Sequence, residues 1–526
     1  MLNVLVGRLG RGLSALQVLL WLTNPVSALD TTLAGRRIDL DAALTLREVI
    51  EANRATTHDR SLQQLRIGLA AELLPALRFE SSLLAFNGGP TIKAEKSGVY
   101  NWHQVFQNRS PVVDFEEFFF DLALGDLDLR IGKQRVSWGK LDRFSPLDVV
   151  NAMAYIDPFL VEEAERRLGS PAVHASYWLP EDVLPSQSRF SLLWVPYFIP
   201  PRFSDARCEV EAQGSSCDVE RWFPPAALPP GVFEIPAGVI PLPGGVGNPR
   251  LVVPLGFSTR NDSPGFRLEN GSIGAGYSAW VRGADIGVHY FYGFDPQPAF
   301  RLTATAFGRP DAGPFNPIGV TDLTATTTLA PVFRRVHVAG GNIAYAISDF
   351  TLRAEAAYVH GRPFARDIRD LVSNPLLLAP EIATALGALA QGAGSAGVDL
   401  PPSFAVRNAV EWGASVDYLW SGWLLLLQLN QTDVLANSVP LLIQDVETRL
   451  YLTVRKAFWK DRFLTQLLGG HGFESDYSFV RPRLAYRLTD HVTVEIGYLA
   501  IGGRRSSVIG QYKRNDQGWL RLEFRI

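Results

Sequence analysis

The chain has 526 residues, with 50 Lys and Arg against 53 Asp and Glu, 47% hydrophobic residues and 11% aromatic ones. Its formal net charge of −3 leaves no bulk field for nucleic acid, and beyond the N-terminus no apolar run reaches the ~18 residues of a membrane helix. A chain this apolar without such a helix is either a large soluble β protein or a membrane barrel.

At the N-terminus, Arg8 and Arg11 precede an apolar stretch from Leu13 to Leu22, and the helix-breaking Asn24-Pro25 precedes Val26-Ser27-Ala28. That order is the one a secretory signal shows, so cleavage is expected near Ala28 and a mature chain from Leu29. Residues 29–60 are expected to form an N-terminal periplasmic segment that supplies a first strand from "RRIDLDAALTL". A short amphipathic helix over 38–54 is the competing reading. Export also places Cys208 and Cys217 in an oxidising compartment, where a disulfide pinning a surface loop is expected. Zinc is poorly supported because no histidine lies near them. Two free thiols are the plain alternative.

From residue 61 to 526 the recurring signal is alternation with period two. "DLDLRIGKQRV", "TLRAEAAYVH", "ETRLYLTVRKAF", "VRPRLAYRL", "HVTVEIGYLA" and "GWLRLEFRI" each set apolar residues against charged ones. The connections alternate too. Tight turns at Gly125-Asp126, Ser348-Asp349, Ser421-Gly422, Lys460-Asp461 and Thr489-Asp490 are interleaved with long loops at 87–112, 138–170, 198–270, 295–331 and 362–404. A sandwich has no reason for that rhythm, whereas a bacterial outer-membrane barrel has short periplasmic turns and long outer loops. The pattern predicts an all-β, transmembrane antiparallel barrel of about 18 strands, with 16 the next choice. Phe118, Phe120, Tyr418, Trp420, Trp423, Tyr451, Phe458 and Trp459 are expected in its aromatic girdles. Loop 198–270 is expected either to narrow the pore or to cover the top, and a helix is expected to start at Pro380.

Alternation points a set of charged side chains inward: Arg130, Gln134, Arg353, Glu355, Arg449, Arg455, Arg481, Arg483, Arg487, Glu495, Arg521, Glu523 and Arg525, together with Arg66, Arg78, Glu80 and Asp128. Arginines outnumber carboxylates there, which favours anions if the lumen is open. Cross-strand pairing that merely supports the wall is the other reading. Catalytic chemistry is scarce. The eight histidines show no metal spacing, no phosphate loop is present, and no cofactor is expected. His174 and Ser176 share a strand face as a base and nucleophile would, but no third group is evident; two polar wall residues are the better account, and no enzyme is expected.

One segment carries a resemblance. "GKQRVSWGKLDRFSPLDVVN" ends a strand in Gly132-Lys133-Gln134, continues to Trp138-Gly139, and reaches Pro146 and Asp148. It resembles a family of poorly characterised proteobacterial outer-membrane barrels, with Ser145 where that family usually has Asn. The resemblance implies an outer-membrane, porin-like protein and no particular substrate, and Trp138 with its loop is read as capping the outer rim. The expected partners are outer-membrane lipid, the barrel-assembly machinery and a small-molecule solute, with envelope proteins as a further candidate class. Passage of small solutes, with a possible preference for anions, is the leading function. Export of a polymer or hydrophobic compound comes second, and a lipid-hydrolysing barrel third.

Overall fold

The computed structural model describes residues 29–526 except 34–35, 52–59, 89–111, 156–158, 181–184, 202–206, 212–213, 219–230, 241–246, 261, 312, 314–315, 317, 368–374, 505–506 and 514. Residues 1–28, read from the sequence as a secretory signal, lie outside the described residues.

Eighteen antiparallel strands close into one barrel. In chain order they are β1 Arg36–Glu51, β2 Arg60–Leu74, β3 Leu77–Gly88, β4 Val112–Leu124, β5 Leu127–Gln134, β6 Ser170–Trp178, β7 Arg189–Val195, β8 Ser272–Val281 and β9 Ala284–Phe294. The second half comprises β10 Arg335–Ile347, β11 Phe350–Ala365, β12 Phe404–Trp420, β13 Trp423–Leu435, β14 Val446–Phe458, β15 Phe463–Gly472, β16 Tyr477–Arg487, β17 Val492–Gly503 and β18 Gln517–Arg525. Closure is made by β1, which pairs with β2 on one side and with β18 on the other. The segment read either as a helix or as a first strand is therefore a strand. A helix there would have left two unpaired edges.

The outer face is apolar and uncovered by protein: Leu192 is 65% exposed and Val288 57%, with Ile131, Ile273, Ile343, Leu452 and Ile496 also exposed. Such a surface around a closed barrel is stable only against lipid. Near the short turns, Phe350 stacks on Tyr418 at 4.4 Å and Trp423 meets Phe458 at 6.1 Å, as an interfacial girdle requires. Tyr451 does not belong to that girdle. It shares parity with Glu447 and Arg449, points inward, and is 1% exposed.

Loops 198–270, 295–331 and 362–404 do not act separately. They build a second sheet of five strands, Gly231–Ile235, Leu251–Thr259, Val320–Val332, Ala299–Pro310 and Ser395–Val398, in that spatial order. A helix packs on it, spanning Pro375–Ala390 rather than starting at Pro380. The earlier start follows from burial, since Leu378 and Ala379 are both nearly inaccessible.

Within this cap, Arg207–Glu211 and Gly214–Asp218 pair as a hairpin that sets Cys208 directly opposite Cys217. Opposed residues in antiparallel strands have Cα atoms ~4.5–5.5 Å apart, inside the span of a disulfide. The purified protein should show no reactive thiol before reduction and two after it. Equal maleimide labelling in both states would refute the bridge. Its effect on stability should be small, about 2–3 kcal/mol at most for so short a loop.

Candidate functional site

β5 ends at Gln134, which is fully buried with Nε2 donating to Ala172 O at 3.0 Å, so it is not open to a passing solute. The chain then turns into the barrel. Asp148 Oδ1 accepts from Ser137 Oγ at 3.1 Å, Trp138 N at 3.1 Å and Gly139 N at 3.0 Å, while Arg167 pairs with its other oxygen. One carboxylate thereby folds the Trp-Gly and Pro-x-Asp elements onto each other. A Cβ at Gly139 would lie 1.9 Å from Ser145 Oγ, so only glycine fits there.

Residues 135–155 and 159–169 run through the lumen and do not cap the outer rim. Trp138 stacks on His289 of β9 at 5.2 Å, and its carbonyl accepts from Asn342 Nδ2 of β10 at 2.8 Å. The wall is cut away to seat it, since a Cβ on Gly274 of β8 would come within 2.4 Å of the indole. Lys140 Nζ pairs with Asp285 at 2.8 Å. On β11, Glu355 is 3% exposed and accepts from Leu141 N at 2.8 Å, from Lys140 N and from the Ser145 hydroxyl. Across the barrel, Arg143 N donates to Gln428 of β13 at 3.3 Å, and Phe144 stacks on Tyr451 of β14 at 5.3 Å. Finally Phe159 meets Phe479 of β16 at 4.9 Å, and Glu162 pairs with Arg481.

The inward course has a plain cause. Leu141, Leu147 and Val149 are all at most 5% exposed, and burying each is worth about 1.5–3 kcal/mol. An outer rim offers no apolar surface to match them. The lumen supplies both that surface and acceptors for the loop's backbone N–H groups.

The charged lumen is largely self-paired. Arg130 binds Asp121 at 2.6 Å and lies 4.2 Å from the Phe119 ring. Arg66 and Arg135 share Glu116, and Lys133 holds Asp114. Arg353 holds Asp417 and Asp142, Arg483 holds Glu495 at 3.4 Å, and Arg521 and Arg525 share Glu523. Arg455 and Arg487 are exposed on the inward face, and neither forms an ion pair among the described residues. Arg449 interacts electrostatically with Tyr477, Tyr451, Glu447 and Glu411.

Simple alternation missed the acidic partners on β4. Glu116 is an extra residue there, because Ser82 pairs with Glu117 and Leu83 with Phe115. That bulge lets both Glu116 and Asp121 face inward although they are five residues apart.

On the loop itself, Glu162 is held below the usual carboxylate range: burial opposes ionisation, but Arg481, Arg143 and Arg483 outweigh it. Its neighbour Glu163 is pushed up by burial, which Arg166 and the Phe144 N–H only partly offset. His174 and Ser176 face the lumen, and among the described residues His174 Nε2 has no hydrogen-bond partner and no carboxylate is bonded to the ring as a triad would have it.

Between the loop and β11–β16 lies a cavity of about 370 Å³, lined by Phe144, Tyr155, Arg362, Glu411, Glu447, Arg449 and others. Arg362 is buried there between Asp295, at 2.7 Å, and Glu411. This volume is within the ~300–1,000 Å³ of small-molecule sites.

A family model described as a protein of unknown function, DUF1302, matches residues 113–447. Comparison with curated proteins finds no match. Among solved structures, the chain is similar to OpdK of Pseudomonas aeruginosa with vanillate, at 9% identity and a TM-score of 0.43 over 93% of this chain and 98% of that one. It is also similar to Acinetobacter baumannii OccAB4, at 8% identity and TM-score 0.44 over 96% and 100%. Salmonella typhi OmpF in complex with daunomycin aligns at 9% identity and TM-score 0.36 over 94% and 98%.

Proposed function

The chain belongs to the DUF1302 family of proteins of unknown function, and on that footing we propose an outer-membrane channel for small solutes, narrowed by an inward loop and weakly anion-preferring. The observation that carries this reading is the polar lumen crossed by residues 135–155 and 159–169, with a cavity left beside them. A barrel serving only as an anchor has no need of a polar interior with a cavity in it. The anion preference rests on Arg455 and Arg487, two inward guanidinium groups near the short-turn end that have no counter-ion among the described residues. Because most of the other lumen arginines named above are paired and Arg449 lies beside Glu447 and Glu411, the preference should be modest and should weaken as salt rises.

Planar-bilayer recording of the purified, heat-modifiable protein in a KCl gradient tests it. A small conductance with a reversal potential displaced toward chloride is expected. Absence of conductance from both the native protein and a variant whose loop has been released would end the channel reading.

A further inference from the structure

The cavity beside the loop has a polarity that the register of three strands sets. Glu411 of β12, Thr432 of β13 and Glu447 of β14 lie in one cross-strand row, and Gly413, Asn430 and Arg449 lie in the next. Rows two residues apart on a strand are about 6.7 Å apart, and the outer two strands of three are about 10 Å apart. The upper row is acidic. Arg362 is a single cation shared by Asp295 and Glu411, so that trio keeps one negative charge. Glu447 has the Ser475 hydroxyl as its hydrogen-bond donor and no cation in contact among the described residues. Asp148, also on the wall, is taken by Arg167.

The lower row is cationic. Arg449 is partly accessible and forms no ion pair among the described residues. The rest of the lining includes the rings of Phe144, Phe300 and Phe364.

We infer that this cavity is a binding site for an amino-carboxylate, meaning a zwitterion with an apolar body such as an amino acid. Its ammonium sits at the Glu411–Thr432 row, its carboxylate reaches Arg449, and its side chain lies among the phenyl rings. The upper row keeps two negative charges and the next row holds Arg449, which already senses Glu447 and Glu411, so the two ends of a small zwitterion each meet opposite charge one row apart. A simple anion would meet the acidic row, and a simple cation would meet Arg449. The site rests on the channel reading only for the route by which the solute arrives.

Calorimetry on the full-length protein in detergent, with L-phenylalanine, 3-phenylpropionate and 2-phenylethylamine as probes, tests it. Phenylalanine should bind about tenfold or more tightly than either single-charge analogue, because each analogue leaves either the acidic row or Arg449 without a ligand group of opposite charge. Arg449→Gln should abolish its advantage over phenylethylamine, and Glu411→Gln its advantage over phenylpropionate. Glu411 also holds Arg362, so Thr432→Val provides a second probe of the ammonium contact should Glu411→Gln fail to give a heat-modifiable barrel. Equal affinities for the three probes, or no binding of phenylalanine at millimolar concentration, overturns the site. KCl conductance from the same preparation separates the two readings: ion passage without phenylalanine preference removes the site alone, and binding without passage removes the channel alone.

Discussion

Replacing Glu355 with Ala should release the inward loop and raise single-channel conductance severalfold. Glu355 accepts from Leu141 N, Lys140 N and the Ser145 hydroxyl, and at 3% exposure it leaves no room for water to take its place. Each donor left without an acceptor in a buried setting costs about 1–3 kcal/mol, and about 1.4 kcal/mol is a factor of ten in a population. Three such losses raise the undocked fraction by at least about a hundredfold. Undocking returns the donors to water, so the cost falls on the docked state and not on the barrel. Adding Trp138→Ala removes the indole seated against Gly274 and His289, worth about 3–5 kcal/mol in a well-packed site, and should leave the loop open for most of the time. Conductance should rise together with protease cleavage within 135–169, while heat-modifiable migration of the barrel stays unchanged. Unaltered conductance and unaltered cleavage in the double variant would show that the loop is not the constriction.

Charge reversal at two pairs of arginines should give opposite kinds of result. Read by alternation alone, Arg481 and Arg483 line an open lumen, and Arg481→Glu with Arg483→Glu should invert ion preference. The structure assigns them another task. Arg481 is 3% exposed, donates to Phe159 O and pairs with Glu162, while Arg483 holds Glu495. Reversing both sets new carboxylates against Glu162 and Glu495. Losing one partner of a buried pair already costs about 3–5 kcal/mol, and like charges add to it. That variant should therefore lose loop docking and become larger and noisier in conductance.

Arg455→Glu with Arg487→Glu touches neither the loop nor an ion pair among the described residues. It should leave conductance near the native value and move the reversal potential toward the cation, most clearly at low salt. Inverted selectivity with unchanged conductance in the first variant, and no shift in the second, would place the selectivity region at Arg481 instead.

Sequence alone determined the barrel. Alternation with period two and connections of two lengths are local properties, and each strand carries them whatever its neighbours do. The even strand number followed because both ends of a closed antiparallel sheet must lie on the same side, which required a strand in the segment now seen as Arg36–Glu51. The inward parity of Arg130, Arg353, Arg449, Arg481 and Glu523 was legible for the same reason. Their partners were not. A bulge at Glu116 changes parity without a sequence signal, and Glu162 reaches Arg481 across 319 positions.

Tertiary structure also decided which loop enters the lumen. The Pro-rich 198–270 segment contributes strands to the cap sheet, while the Trp-Gly loop finds the one place where its leucines and its backbone donors are both satisfied. That preference belongs to the cavity and not to the loop. A closed wall supplies apolar surface, a glycine seat at 274, and an acceptor at Glu355, each from a different strand. Their coincidence exists only once the sheet has closed, because residues brought face to face by register share no spacing in the chain.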